Sequence, residues 1–315
     1  MKGNWFLKLV ELPTKVASVF PFLIGTIYAV YRFGQLNIIN LILMFVAMIC
    51  LDMATTALNN YMDYKLAIKT HGFNYEQHNA IVKFDLKENT VRWVIGSLVT
   101  IAIVLGLVLF IRTDLVVLLF GMVSFFFAAI YTWGPFPISR TPLGELISGT
   151  VMGGIITFIS VYIHVFDFNL IEFVWQSGKL TVGLNIYELL GILFIALPLM
   201  TGISNIMLAN NTCDMEDDFE NRRFTLPLVI GKRNALLLFA ILYGLGYGAV
   251  LLAVLVGWLP LTCLAVMVTL FPVRRNVIKF FELQSKKETF VTSVQNFITI
   301  SGVYVISMLV GVLFY

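Results

Sequence analysis

Residues 186–214 read IYELLGILFIALPLMTGISNIMLANNTCD, and they decide the fold. From Ile186 to Leu208 the stretch carries a single charge, Glu188. A run of about 18 or more such residues is long enough to cross the hydrocarbon core of a bilayer as a helix. The run then ends in amides and an acid, Asn210, Asn211 and Asp214. The same N-N-x-x-D pattern closes an earlier apolar run as NNYMD, residues 59–63.

The composition agrees with a chain made mostly of such runs. Of 315 residues, 59% are hydrophobic and 12% charged, with mean hydropathy +0.90. A soluble domain carries about 25% charged residues. A net charge of +3 is too small to imply a nucleic acid partner. Cys50, Cys213 and Cys263 show no pairing pattern, and two of them lie within apolar runs. Met1–Val10 is short and mixed and does not read as a cleavable leader.

Nine spans are expected, at Val16–Arg32, Ile38–Leu58, Val91–Ile111, Leu115–Trp133, Leu146–Phe166, Ile186–Leu208, Ala235–Val256, Trp258–Val273 and Phe290–Phe314. The chain thus reads as an all-α polytopic membrane protein, a single membrane domain over residues 1–315. Val165–Leu184 is the least regular external stretch and reads as a loop resting on the interface. With these spans, 18 of the 21 Lys and Arg residues fall on one side; only Arg32, Arg112 and Lys179 fall on the other. The positive-inside rule places the N-terminus in the cytoplasm and the C-terminus outside the cell membrane. Both N-N-x-x-D copies then sit at cytoplasmic edges, after the second and sixth spans. The simplest account is a duplicated four-helix unit, residues 1–145 and 146–289, with a last helix at 290–315.

The second copy is rich in acids. Asn210, Asp214 and Asp218 are spaced i, i+4, i+8, which places them on one face of a continued helix. Such a cluster repels itself unless a cation neutralises it, and all-oxygen donors suit Mg²⁺. Glu216 and Asp217 point elsewhere and read as solvated. The first copy offers Asn59 and Asp63, too little for a metal alone but sufficient if both edges face one cavity. Lys65, Lys69, Arg222 and Arg223 follow the two copies and suit a diphosphate, although topology alone explains most basic residues on this side. The stretch YTWGPFPISRTPLGEL, 131–146, sets Tyr131 and Trp133 at the same mouth. Their ring faces could stabilise a carbocation, or belong to an interfacial belt. His71, His78 and His164 show no ligand spacing, and no phosphate-binding P-loop motif is present.

These motifs resemble the UbiA superfamily of intramembrane prenyltransferases. Asn210–Lys232 resembles its second aspartate-rich motif, with Thr225, Leu226 and Gly231 at the matching positions and Arg223 where the motif has Lys. The closer resemblance is to the group that prenylates 1,4-dihydroxy-2-naphthoate in menaquinone synthesis. YTWGPFPISRTPLGEL is similar to that group's Y-T-x-G-P with L-G-E downstream. ELPTKV, Glu11–Val16, resembles its entry to the first helix, and LNNYMDYKLAIK its first motif. Departures are Asn60 for an Asp, the lack of an acid near Lys69, Cys213 for an Arg, and Arg222 for a Gly. The resemblance implies a helical bundle around a central cavity with a cytoplasmic cap. It also implies Mg²⁺, a polyprenyl diphosphate and an aromatic acceptor. The residues expected to act are Asp63, Asp214, Asp218 and Tyr131 in catalysis. Asn59, Asp63, Asn210, Asp214 and Asp218 are expected at the metal, and Asn59, Asn60, Lys65, Asn210, Asn211 and Arg223 at the substrate. Other acceptors (4-hydroxybenzoate, homogentisate, haem or a lipid), a secondary transporter and a non-catalytic partner protein are the alternatives.

Overall fold

A computed structural model describes residues 5–66, 79–134 and 137–314 of the chain. Among the described residues, nine helices are long and apolar enough to cross a membrane. They are α1 (Leu12–Phe33), α2 (Ile38–Lys65), α3 (Glu88–Arg112), α4 (Leu115–Thr132), α5 (Gly144–Val165), α6 (Ile186–Cys213), α7 (Lys232–Val256), α8 (Leu261–Glu282) and α9 (Phe290–Leu313). Four short helices, Trp5–Leu9, Ala80–Phe84, Met215–Glu220 and Leu226–Ile230, gather at the end where α2 and α6 finish.

The spans alternate in direction because their ends are punctuated. Gly34 stops α1 in a left-handed conformation (φ 67°), and Gly257 does the same for α7 (φ 83°). The Asp114 carboxylate caps α4 by accepting from the Val116 amide at 2.9 Å. Pro21 and Pro198 lie inside helices, as expected.

Helix α6 is the axis of the bundle. Two-thirds of its apolar window is buried, against packing partners α1, α5, α7 and α9. The contact with α5 is very close. A Cβ on Gly149 would meet Met200 O at 2.6 Å, and one on Gly153 would meet Met200 N at 2.5 Å. Only glycine lets the two backbones approach this near, where α5 takes a π-helical turn over Gly149–Ile155. Helices α3 and α4 lie at the periphery, with Ile101, Val104, Leu107 and Phe126 exposed as a lipid-facing surface demands.

Three expectations need correction. The 171–184 part of the external loop is a β-hairpin, β1 (Ile171–Gln176) against β2 (Lys179–Leu184), antiparallel. Its two-residue turn, Ser177 and Gly178, has positive φ at both positions, which matches the twist of the paired strands. Helix α2 does not stop at Leu58 but continues through the first motif. Helix α8 does not end at Val273 but continues to Glu282 and carries Arg274, Arg275 and Lys279.

Candidate active site

Helices α2 and α6 are each 28 residues long. At 1.5 Å per residue each spans about 42 Å, some 10 Å more than the hydrocarbon core. The final turns, which carry the two motifs, therefore stand in the polar layer. The amides and acids need no apolar environment there.

The second motif is built across a break. Helix α6 ends at Cys213, and Asp214 leaves helical geometry (φ −99°, ψ 11°). The Asp218 amide still donates to Asp214 O at 2.7 Å, so the one-turn spacing survives the kink. The short helix Met215–Glu220 then closes at Arg222, which is left-handed (φ 55°). A glycine relaxes this position. Arg222 thus sits where the resemblance has Gly, and its backbone makes the turn a glycine would make. That turn brings Arg223 back, its amide donating to Asp218 O at 2.8 Å and its Nε lying 3.5 Å from Asp218 Oδ1. Thr225 donates to Asp218 Oδ2 at 3.1 Å. Asp218 is buried, and burial raises its carboxyl above the usual carboxylate range; Arg223, Thr225 and Lys286 oppose the shift, and Asp214 adds to it.

The two motifs do face each other. Arg223 and Arg140 both act electrostatically on Asp63, on α2. The Phe224 amide donates to Arg140 O at 3.0 Å, which joins the segment after α4 to the second motif. Asn59 also points to this side, its Oδ1 3.5 Å from Thr132 Oγ1 on α4. Arg223 thus pairs with Asp218 and lies within electrostatic reach of Asp63 and Tyr131.

Other expected residues have different work. Asn60 is buried, and its amide nitrogen donates to Leu9 O at 3.2 Å, Glu11 Oε1 at 3.3 Å and Thr56 O at 3.3 Å. It ties the N-terminal segment to α2. Asn211 is buried too, donating to Glu145 Oε1 at 2.8 Å. Lys65 pairs with Glu88 at 2.7 Å in an exposed group with Arg92 and Tyr61, and is not brought into the site. Trp133 is 62% exposed, which suits the belt better than the cavity. Lys69, His71 and His78 fall outside the described residues.

Sequence reasoning missed Glu145, Arg140 and Lys286. Glu145 starts α5, is buried, and shows no ion-pair partner for its carboxylate among the described residues. Its Oε2 has no hydrogen-bond partner, and the neighbouring Tyr131 Oη is buried beside it with Ser148 near enough to interact. Buried polar atoms are almost always paired. The unpaired Glu145 oxygen marks a place that suits a polar guest. A buried pair, Lys15–Asp52 at 2.5 Å, was missed as well; Thr56 and Ser18 complete it, and it fastens α1 to α2.

No three His, Cys, Asp or Glu side chains among the described residues gather as a ready-made metal cage. The donor set nonetheless fits a cation at the second motif. Asn210 Oδ1 and Asp214 Oδ2 already converge on one positive group, the Lys286 ammonium. Mg²⁺ is commonly held by one or two carboxylates plus substrate phosphate oxygens, so an incomplete cage is what such a site offers.

The UbiA prenyltransferase family profile matches residues 18–300. The chain belongs to this family. It is a prenyltransferase, as the family and its octaprenyltransferase relative indicate. It is 29% identical over 245 residues to the 1,4-dihydroxy-2-naphthoate octaprenyltransferase of Bacillus subtilis (strain 168), covering 78% of this chain and 72% of that one. Among solved structures, a UbiA homolog from Aeropyrum pernix K1 matches with TM-score 0.67 at 17% identity, covering 92% of this chain and 98% of that one. A UbiA homolog from Archaeoglobus fulgidus bound to GPP and Mg²⁺ matches with TM-score 0.65 at 11% identity, covering 98% and 99%. At such identities these two establish the fold.

Proposed function

We propose that this prenyltransferase moves a polyprenyl group from a polyprenyl diphosphate to 1,4-dihydroxy-2-naphthoate, giving demethylmenaquinone in its hydroquinone form. The observation that carries the acceptor is the kinship to a naphthoate octaprenyltransferase. The convergence of Asp63, Asp214, Asp218 and Arg223 supports the diphosphate. The motif end would face the cytoplasm, because 18 of 21 basic residues lie on that side.

Asn59, Asp63, Asn210, Asp214 and Asp218 would hold the metal and the diphosphate between them. Bound Mg²⁺ supplies charge neutralisation that makes the diphosphate a better leaving group. Arg223 and Arg140 take charge that builds on the departing oxygens. The allylic C–O bond breaks, and the apolar helices keep water from the resulting cation. The Tyr131 ring would face it. Glu145 Oε2, unpartnered, and the buried Tyr131 Oη suit an acceptor hydroxyl, which would hold the ring carbon towards the cation. A carbon–carbon bond forms, carbon dioxide leaves, and its bonding electrons restore the aromatic ring.

Purified protein with Mg²⁺, a polyprenyl diphosphate and dihydroxynaphthoate is expected to give prenylated product by mass. Parallel reactions with 4-hydroxybenzoate and homogentisate decide the acceptor. No turnover with any acceptor, in protein that still melts cooperatively, overturns the proposal.

A further inference from the structure

Lys286 belongs to the turn between α8 and α9, outside both aspartate motifs. The turn is firmly built. The Ser285 amide donates to Thr289 Oγ1 at 2.9 Å, and the amides of Thr289 and Phe290 both donate back to Ser285 O at 3.0 Å. Thr289 is buried and also donates to Leu283 O at 2.8 Å. On this perch the Lys286 ammonium reaches across 76 residues of sequence to Asn210 Oδ1, pairs with Asp214 Oδ2, and lies 5.1 Å from the Phe290 ring centre. Asp218 feels it too. Asp214, Asn210 and Asp218 are the groups that would hold the metal.

We propose that Lys286 is a displaceable counter-ion that couples metal binding to diphosphate binding, resting on the reading of the site given above. Without ligand, the ammonium satisfies Asn210 and Asp214. A divalent cation arriving alone has to displace it, and the ammonium then gains nothing in exchange. A cation arriving with a diphosphate brings oxygens that receive the ammonium, so the displacement costs far less. Metal and diphosphate thus raise each other's affinity by one common factor, as linkage requires. The half-exposed side chain and its long flexible stem permit the swing, and the rigid turn keeps it short.

The test uses Mn²⁺, followed by electron paramagnetic resonance, with and without a prenyl thiodiphosphate that cannot react. Full-length Lys286→Met is expected to bind Mn²⁺ alone several-fold more tightly than the unsubstituted protein. It is expected to bind the analogue in Mn²⁺ several-fold more weakly, and the coupling factor, Mn²⁺ affinity with the analogue divided by Mn²⁺ affinity without it, is expected to fall several-fold. Lys286→Arg should keep most of the coupling. Lys287→Met removes the same charge one residue along and should move neither constant. Unchanged or weaker Mn²⁺ binding by Lys286→Met overturns the proposal. So does tighter Mn²⁺ binding with unchanged analogue affinity, because the ammonium then never passes to the diphosphate. An enzyme that fails to turn over any acceptor but shows the coupling would reject the acceptor assignment and leave this inference standing.

Discussion

The two N-N-x-x-D edges look alike in sequence and differ in construction. The second lies on α6, two-thirds buried in its apolar window; the first lies on α2, buried over just over a quarter. In the second, Asp214 and Asp218 each have a cation in contact, Lys286 and Arg223. In the first, Asp63 is influenced by Arg223 and Arg140 from other elements, while Asn60 is spent on holding the N-terminal segment. One edge is a charge cluster on a fixed axis. The other is a single carboxylate on a helix that has to be fastened from outside. The difference teaches that repetition of a motif conserves where polar groups stand, without conserving what each one does.

The comparison breaks most directly with Asp214→Asn plus Asp218→Asn. Activity is expected to fall about 10³-fold or more, measured by product formation. Burial raises the Asp218 carboxyl in the fold, so the stability its proton gives is full below the ordinary carboxylate pKa and lost as pH rises through the raised value. At neutral pH without metal, the Asp218→Asn protein should therefore melt no lower than the unsubstituted one. Full retained activity would move the metal elsewhere. Asp63→Asn should cost less, roughly 10- to 100-fold in kcat/KM. A loss equal to that of the double variant would make the edges equivalent and end the distinction.

Asn60→Asp is the sharpest of the smaller tests. The resemblance has an acid here, so a metal role predicts tighter Mg²⁺. The structure predicts damage instead: an aspartate cannot donate to Leu9 O or Thr56 O, and it sets a carboxylate beside Glu11. A loss of about 1–3 kcal/mol in denaturant unfolding is expected, with no gain in metal affinity. Lys65→Ala closes the series. Its pair with Glu88 is exposed, so the KM for prenyl diphosphate should change by less than about twofold.

Apolar length made all nine spans legible, since nothing else explains such runs. The ends were harder to place. Asn59–Asp63 look like the start of a loop, yet no Gly or Pro interrupts them and the helix runs on. Residues 171–184 did carry a hairpin signal, Leu180, Val182 and Leu184 alternating with Lys179, Thr181 and Gly183 after a Ser177-Gly178 turn, but reading them as an irregular loop passed it over. The site was half legible. Asp63, Asp214, Asp218 and Arg223 stand in local patterns. Glu145 and Lys286 matter only through partners 66 and 76 residues away, and no local spacing reveals that.

The end with the hairpin is sewn shut. Arg32 pairs with Glu188 at 2.7 Å, Tyr162 donates to Asp114 at 2.6 Å, Arg112 to Asn40 at 3.0 Å, and the Asn37 amide to His164 Nδ1 at 3.1 Å. These bonds cross between helices α1, α2, α3, α5 and α6 or their flanks, and none involves a group the substrate would take. At the motif end, several ties run through charges that a ligand would claim. A ligand is therefore expected to rearrange hydrogen bonds at the motif end while leaving those beside the hairpin in place. A cross-link or an added domain at the hairpin end should accordingly leave activity unchanged.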